Sequence, residues 1–186
     1  MEVFWARGYS GASIAELTAE MGINSPSLYA AFSSKEALFR EAVSLYLATA
    51  TAGTLKALEG DLSTRDSVAA MLLAAAEGCT APGKPKGCLI VLGAANGGPD
   101  TQAMQQHLSD CRKETPRRIR RRLERGVKEG ELPDGLDLDG IAAYFSTIIN
   151  GFSIEARDGA TIDALHHIVG HAMLGWDALT APRAGQ

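Results

Sequence analysis

The chain is short of several things, and each shortage excludes something. Three cysteines, Cys79, Cys88 and Cys111, are scattered through 186 residues. They are too few for a disulfide scaffold and lack the spacing of a zinc site, so no metal and no cofactor are expected. The longest uninterrupted apolar run, Val68 to Ala76, is far below the roughly 18 residues that cross a bilayer, so no membrane partner is expected. No basic stretch leading into an apolar core follows Met1, so no secretory signal is read and a reduced, cytoplasmic setting is expected. Positive charge is not in excess either: Lys+Arg 18 against Asp+Glu 22 gives a net −4. That balance argues against a generic nucleic-acid coat protein but leaves room for a local DNA-reading surface.

Aromatics make up only 6% of the chain, and Ile and Val number 10 and 6. Against these stand 30 Ala and 20 Leu, both strong helix formers. No segment alternates with period two, so the expected fold class is all-α. A hydrophobic content of 46% with 22% charged residues is ordinary for a globular chain. The length suits one medium domain, or a small one fused to a larger one.

The helical signals begin at once. Glu2 to Arg7 is expected to be a helix stopped by Gly8. Ser13, with Glu16 three residues on, forms a capping box before Ile14, Leu17 and Met21, which share one face. Gly22 ends that helix, and Ser25 (as N-cap) with Pro26 at the first helical position starts the next. Leu28 and Phe32 share its inner face. Ser33 to Glu36 opens a longer helix through Leu38, Phe39, Ala42, Leu45 and Tyr46. Beyond it, helices are expected at Asp66 to Glu77, at Cys88 to Ala95 (short and buried), from Thr101 to Glu129 with a break or kink at Pro116, at 138–157 and at 161–178. Loops fall at Ala81–Gly87, Asn96–Pro99 and Gly130–Asp139, and the tail from Ala181 is expected to fray.

Two short helices joined by Gly22-Ile23-Asn24 have the layout of a helix-turn-helix, in which one helix crosses the DNA backbone and the second enters the major groove. The outward residues Ser25, Ser27, Tyr29 and Ala30 are small or hydroxyl-bearing. Lys35 and Ser13 each sit at a helix start, where backbone N–H groups favour an anion.

The run Phe4-x-x-x-Gly8-Tyr9-x-x-x-Ser13-Ile14-x-x-Leu17, followed by Met21-Gly22-Ile23-Asn24-x-Pro26-Ser27-Leu28-Tyr29-x-x-Phe32-x-Ser34-Lys35-Glu36-x-Leu38, resembles the DNA-binding domain of TetR/AcrR-type transcriptional regulators. The resemblance implies a helix-turn-helix domain over 1–47 and a larger helical ligand-binding and dimerisation domain over 48–186. It implies a dimeric, sequence-specific DNA-binding regulator, a repressor released by a small apolar or amphipathic ligand, and not an enzyme. By resemblance, Ser13, Asn24, Ser25, Pro26, Ser27, Tyr29 and Lys35 fall on the DNA face, with Ile14, Leu17, Leu28 and Phe32 in the core of the reading head. The implied partners are a palindromic duplex, a second copy through the last two helices (138–157 and 161–178), and an unidentified small molecule.

The family's first helix begins about two turns earlier, after a basic arm, so the first helix here is expected to be truncated. Residues 1–52 carry Arg7, Lys35 and Arg40 against Glu2, Glu16, Glu20, Glu36 and Glu41, a net of −2. The alternative is a helical small-molecule binding protein or enzyme with a vestigial reading head.

Four further features have plainer readings. The nine Lys/Arg between Arg112 and Lys128 are read as the solvated face of an amphipathic helix. Cys88 and Cys111 are read as buried structural thiols, with a redox switch as the alternative. His166, His167 and His171 are read as surface or interface histidines. Small residues (Ala69, Ala70, Ala74, Ala75, Ala76) mixed with Met71, Leu72, Leu89, Leu92 and Met104 are expected to leave an apolar cavity between helices.

Overall fold

The computed structural model describes residues 1–94 and 98–181, and among them there are helices and no strands. The start of the expected Asn96–Pro99 break, the end of the Cys88–Ala95 segment and the tail past Ala181 lie outside the described residues.

Helix α1 (Glu2–Gly11) does not stop at Gly8 as expected; it breaks there and runs one further turn. Gly8 takes φ 69°, ψ 175°, and a Cβ at this position would sit 3.0 Å from the Gly93 carbonyl oxygen. Glycine serves both needs, the positive φ and the close approach. In α2 (Ile14–Met21) the capping box is present: Glu16 N–H donates to Ser13 Oγ, and Ser13 N–H donates to Glu16 Oε2. Gly22 ends the helix in the left-handed conformation.

The start of α3 (Ser25–Phe32) differs from expectation. Asn24, not Ser25, is the N-cap, and its Oδ1 accepts the Ser27 N–H at 2.9 Å. Ser25 and Pro26 are therefore the first two helical residues. Asparagine and serine cap about equally well, so the choice of Asn24 places the helix start one residue earlier than expected. Ser34 caps α4 (Lys35–Thr49).

The body follows. A short α5 (Ala52–Lys56) leads to α6 (Thr64–Thr80), longer at both ends than expected. The four-residue α7 (Leu89–Leu92) and one 3-10 turn (Pro99–Thr101) precede α8 (Gln102–Lys128). Pro116 lies inside α8 without ending it. Helix α9 (Leu138–Arg157) matches its expected span, but the last expected helix is two: α10 (Ile162–Leu174) and α11 (Trp176–Leu179), parted at Gly175.

Two cores hold these elements. The body core joins α6, α8, α9, α10 and α11, and includes Val68, Met71, Leu123, Phe145, Phe152 and Trp176. The second core starts in α1–α4 and continues into α7 and the start of α8. Phe4 is fully buried and meets Phe39 edge-on at 5.0 Å; Trp5 meets Tyr46 the same way at 4.8 Å. Such pairs add about 0.5–1.5 kcal/mol each beyond area burial. Of the expected head core, Leu17 and Leu28 are buried, and Ile14 and Phe32 are half-buried against it. Met21 and Leu45 are instead exposed, at 41% and 51%. Met21 is the last residue of α2 and has no further turn beneath it. Leu45 lies outside the Leu38–Ala42–Tyr46 stripe that α4 turns inward.

Candidate nucleic-acid interface

The helix-turn-helix presents α3 outward on a packed base. Leu28 points in at 0% exposure, while Asn24, Pro26, Ser27 and Tyr29 face solvent and Ser25 is half-buried. Tyr29 is 46% exposed, so its hydroxyl can reach a phosphate oxygen. Asn24 spends its carbonyl oxygen on the cap, and its NH2 makes no hydrogen bond within the described residues. Ser13 is exposed, but its hydroxyl donates to Glu16 Oε2 at 2.9 Å. Arg7 is neutralised by Glu16 at 3.0 Å. Lys35 stands at the start of α4 with its ammonium 4.7 Å from the centroid of the Tyr9 ring, and its pKa is lowered by partial burial. The ring holds the charge by cation–π attraction without neutralising it.

This head is fastened to the body by an exposed ion pair, Lys84 Nζ donating to Glu2 Oε1, and by two further long-range hydrogen bonds. The Trp5 indole Nε1–H donates to the Gly87 carbonyl at 2.9 Å, and the Tyr9 N–H donates to the Gly93 carbonyl at 2.6 Å. Gly87 (φ 80°) also passes over α9 so closely that a Cβ would lie 2.6 Å from the Ser153 carbonyl oxygen. Residues 87–93 therefore touch the head on one side and the body on the other.

On the body side is a cavity of about 480 Å³. Tyr46 and Leu47 of α4, Leu55 of α5, Cys79 of α6, Ile90 and Val91 of α7, Arg112 and Thr115 of α8, and Ile149, Asn150 and Ser153 of α9 all contribute to its wall. Cys88 and Cys111 line it too.

Two segments of the chain match two family models. Residues 1–42 match the N-terminal model of the bacterial regulatory proteins of the tetR family, and residues 64–172 match the tetracyclin repressor-like C-terminal domain. The chain belongs to the TetR family. This TetR-family chain is 31% identical over 180 residues to the HTH-type transcriptional repressor ComR of Escherichia coli (strain K12), covering 96% of this chain and 86% of that one. It is 27% identical over 164 residues to the repressor BdcR of the same organism, covering 88% and 78%. A solved structure of a cysteine mutant of the TetR family transcriptional regulator CifR, complexed with 26bp double-strand operator DNA, is 40% identical. It superposes with a TM-score of 0.91 over 94% of this chain and 92% of that one. The chain is thus a helix-turn-helix DNA-binding transcriptional regulator and not an enzyme.

Against this TetR frame, several sequence expectations need correction. Of the residues expected around a cavity, only Ala75 lines the one found; Met71, Leu72, Leu89 and Met104 are fully buried core. Cys79 is a buried thiol, but Cys88 and Cys111 are half-buried at the cavity wall rather than sealed in the core. Most of the basic run on α8 is a solvated, ion-paired face, with Arg118, Arg120, Arg121 and Arg125 each bonded to a carboxylate. Arg122 is the exception: it is 2% exposed and bonds Ser67 Oγ, Thr64 Oγ1 and the Leu62 carbonyl. Among the histidines, a ring nitrogen of His171 pairs with the His167 carbonyl.

Sequence reasoning missed Tyr9 as the support of Lys35, and Arg112 and Asn150 as cavity residues. Tyr9 carried no charge or spacing signal. Cys111, Thr115 and Arg118, at i, i+4 and i+7, did mark an inward stripe on α8.

Proposed function

We propose that this regulator is a cytoplasmic, dimeric repressor that reads a two-fold-symmetric operator and is released when a small amphipathic ligand enters the cavity. The observation that carries this reading is the fastening of the exposed reading head to the cavity wall: α7 lines the cavity, and Gly93 beside it accepts the Tyr9 N–H. A ligand with different affinity for two settings of α7 would shift the population of DNA-competent heads.

The DNA face is assigned to Ser13, Asn24, Ser25, Pro26, Ser27, Tyr29 and Lys35, with the head over 1–47 and the ligand-binding and dimerisation part over 48–186. CifR, on its 26bp duplex, supports the assignment by likeness. A duplex of that length has room for two half-sites about one helical turn apart or more. Dimerisation is supported by apolar side chains left facing solvent on α9 and α10: Tyr144, Ile154, Ile168 and Leu174, the last 79% exposed.

The test is a titration of the full chain onto the intergenic DNA upstream of its own gene, at two salt concentrations, against a random duplex of equal length. Tighter binding to the upstream DNA, retained at the higher salt, is expected. Equal binding to both duplexes sinks the reading.

A further inference from the structure

We propose that the cavity takes a small apolar molecule bearing one carboxylate, with Arg112 as its anion anchor. This rests on the reading of the cavity as the ligand site. Three cations line the cavity: Lys56, Arg112 and Arg118. Lys56 is exposed at the rim. Arg118 is held between Glu59 at 3.0 Å and Glu114 at 3.1 Å, so its charge is already met. Arg112 is half-buried and has no carboxylate within ion-pairing distance among the described residues. Its one hydrogen bond there runs from Nη1 to the Ile90 carbonyl at 2.8 Å.

A guanidinium has five N–H donors in a planar fork. With one spent on a carbonyl, the others are left for a ligand in a cavity whose apolar wall includes Leu47, Leu55, Val91 and Ile149, while its two carboxylates, Glu59 and Glu114, are held by Arg118 and Arg121. A half-buried charge of this kind is costly until an anion meets it, and a carboxylate matches the fork with two parallel bonds. Two further donors line the same cavity: the Thr115 hydroxyl, one turn along α8, and the Asn150 amide on α9. Neither makes a side-chain hydrogen bond among the described residues. The volume suits a ring with a short acidic chain.

The anchor is also tied to the reading head. The Ile90 carbonyl that Arg112 holds belongs to α7, three residues before the carbonyl that accepts the Tyr9 N–H. An anion competing for the guanidinium acts on that bond, and so on the segment to which the head is fastened.

The test is a calorimetric titration of the full chain at neutral pH with three probes of nearly equal size: hydrocinnamate, hydrocinnamamide and phenylpropylamine. The carboxylate should bind at least about tenfold more tightly than the amide, with the amine weakest. Arg112→Gln should level the carboxylate and the amide, and Arg112→Lys should keep part of the preference, with circular dichroism showing both variants folded. An amide or amine that binds as well as the carboxylate overturns the anion assignment and leaves the cavity reading standing. So does a preference that survives Arg112→Gln. Binding of none of the three also overturns it; uptake of the neutral dye Nile red would then preserve the cavity reading, and its exclusion would remove both.

Discussion

At the scale of single residues, the reading head economises on charge. With Arg7 spent on Glu16, Lys35 is the cation that the assigned DNA face offers, and the Tyr9 ring beneath it fixes where the charge stands. Replacing Tyr9 by Leu should weaken operator binding by about two- to fivefold, the worth of an exposed cation–π contact, while Tyr9→Phe, which keeps the ring, stays near wild type. Fluorescence anisotropy across a salt series checks this: Tyr9→Leu and Lys35→Ala should flatten the salt slope in the same sense and fail to add when combined.

A second residue-scale consequence concerns the thiols. Burial pushes the Cys79 thiol up to about 12, with the neighbouring Cys88 adding to it, and burial also raises Cys111. Both should alkylate more slowly than free glutathione at neutral pH, which counts against a thiolate-based redox switch at either position. Cys79 also sets a pH window. Its folded-state pKa lies above the unfolded value of about 8.5, so its contribution to stability is whole below that value and fades as pH rises toward 12. Urea midpoints should fall from neutral to strongly alkaline pH, and fall less in Cys79→Ala.

At the scale of elements, what could be read from the sequence followed from how local each signal was. The Ser13–Glu16 box, Gly22 and the span of α9 each depend on neighbours within a turn or two, and they stand as read. Ser25 against Asn24 was a choice between two good capping residues side by side, which local pattern does not separate. Arg122 was misread because a wheel drawn on α8 alone shows an arginine among arginines. Only packing against α6 reveals that Thr64 and Ser67 wait for it. That buried guanidinium, with Glu131 at 3.5 Å, clamps α8 to the start of α6. Arg122→Ala leaves those partners unmet and should cost about 3 kcal/mol or more, whereas Arg121→Ala, on the solvated face, should cost less than about 1. Urea denaturation of the two variants makes the comparison. The cavity was least legible of all, since α4 to α9 each supply only part of its wall and no stretch of sequence holds the pattern.

At the scale of the whole molecule, the apolar faces of α9 and α10 are the unfinished part of one chain. Ile154 and Ile168 are 45% and 39% exposed. Changing both to Glu should turn a dimer into monomers by sedimentation velocity while leaving helicity intact, and should cost operator affinity because two heads no longer bind as one. A single dimeric species in that variant would move the interface elsewhere.

The fastening of the head has one more consequence, for its portability. Phe4 and Trp5 are buried in a core that Leu89, Ile90, Ala94, Met104 and Leu108 help to build, and the Trp5 indole finds its acceptor at Gly87. Cut out as residues 1–50, the head would open that core to water and leave the Trp5 N–H and Tyr9 N–H without their acceptors. It should then be largely unfolded by circular dichroism. Grafting this head onto another regulator's body should succeed only if residues 87–93 travel with it, so the modular unit here is larger than its DNA-reading helices.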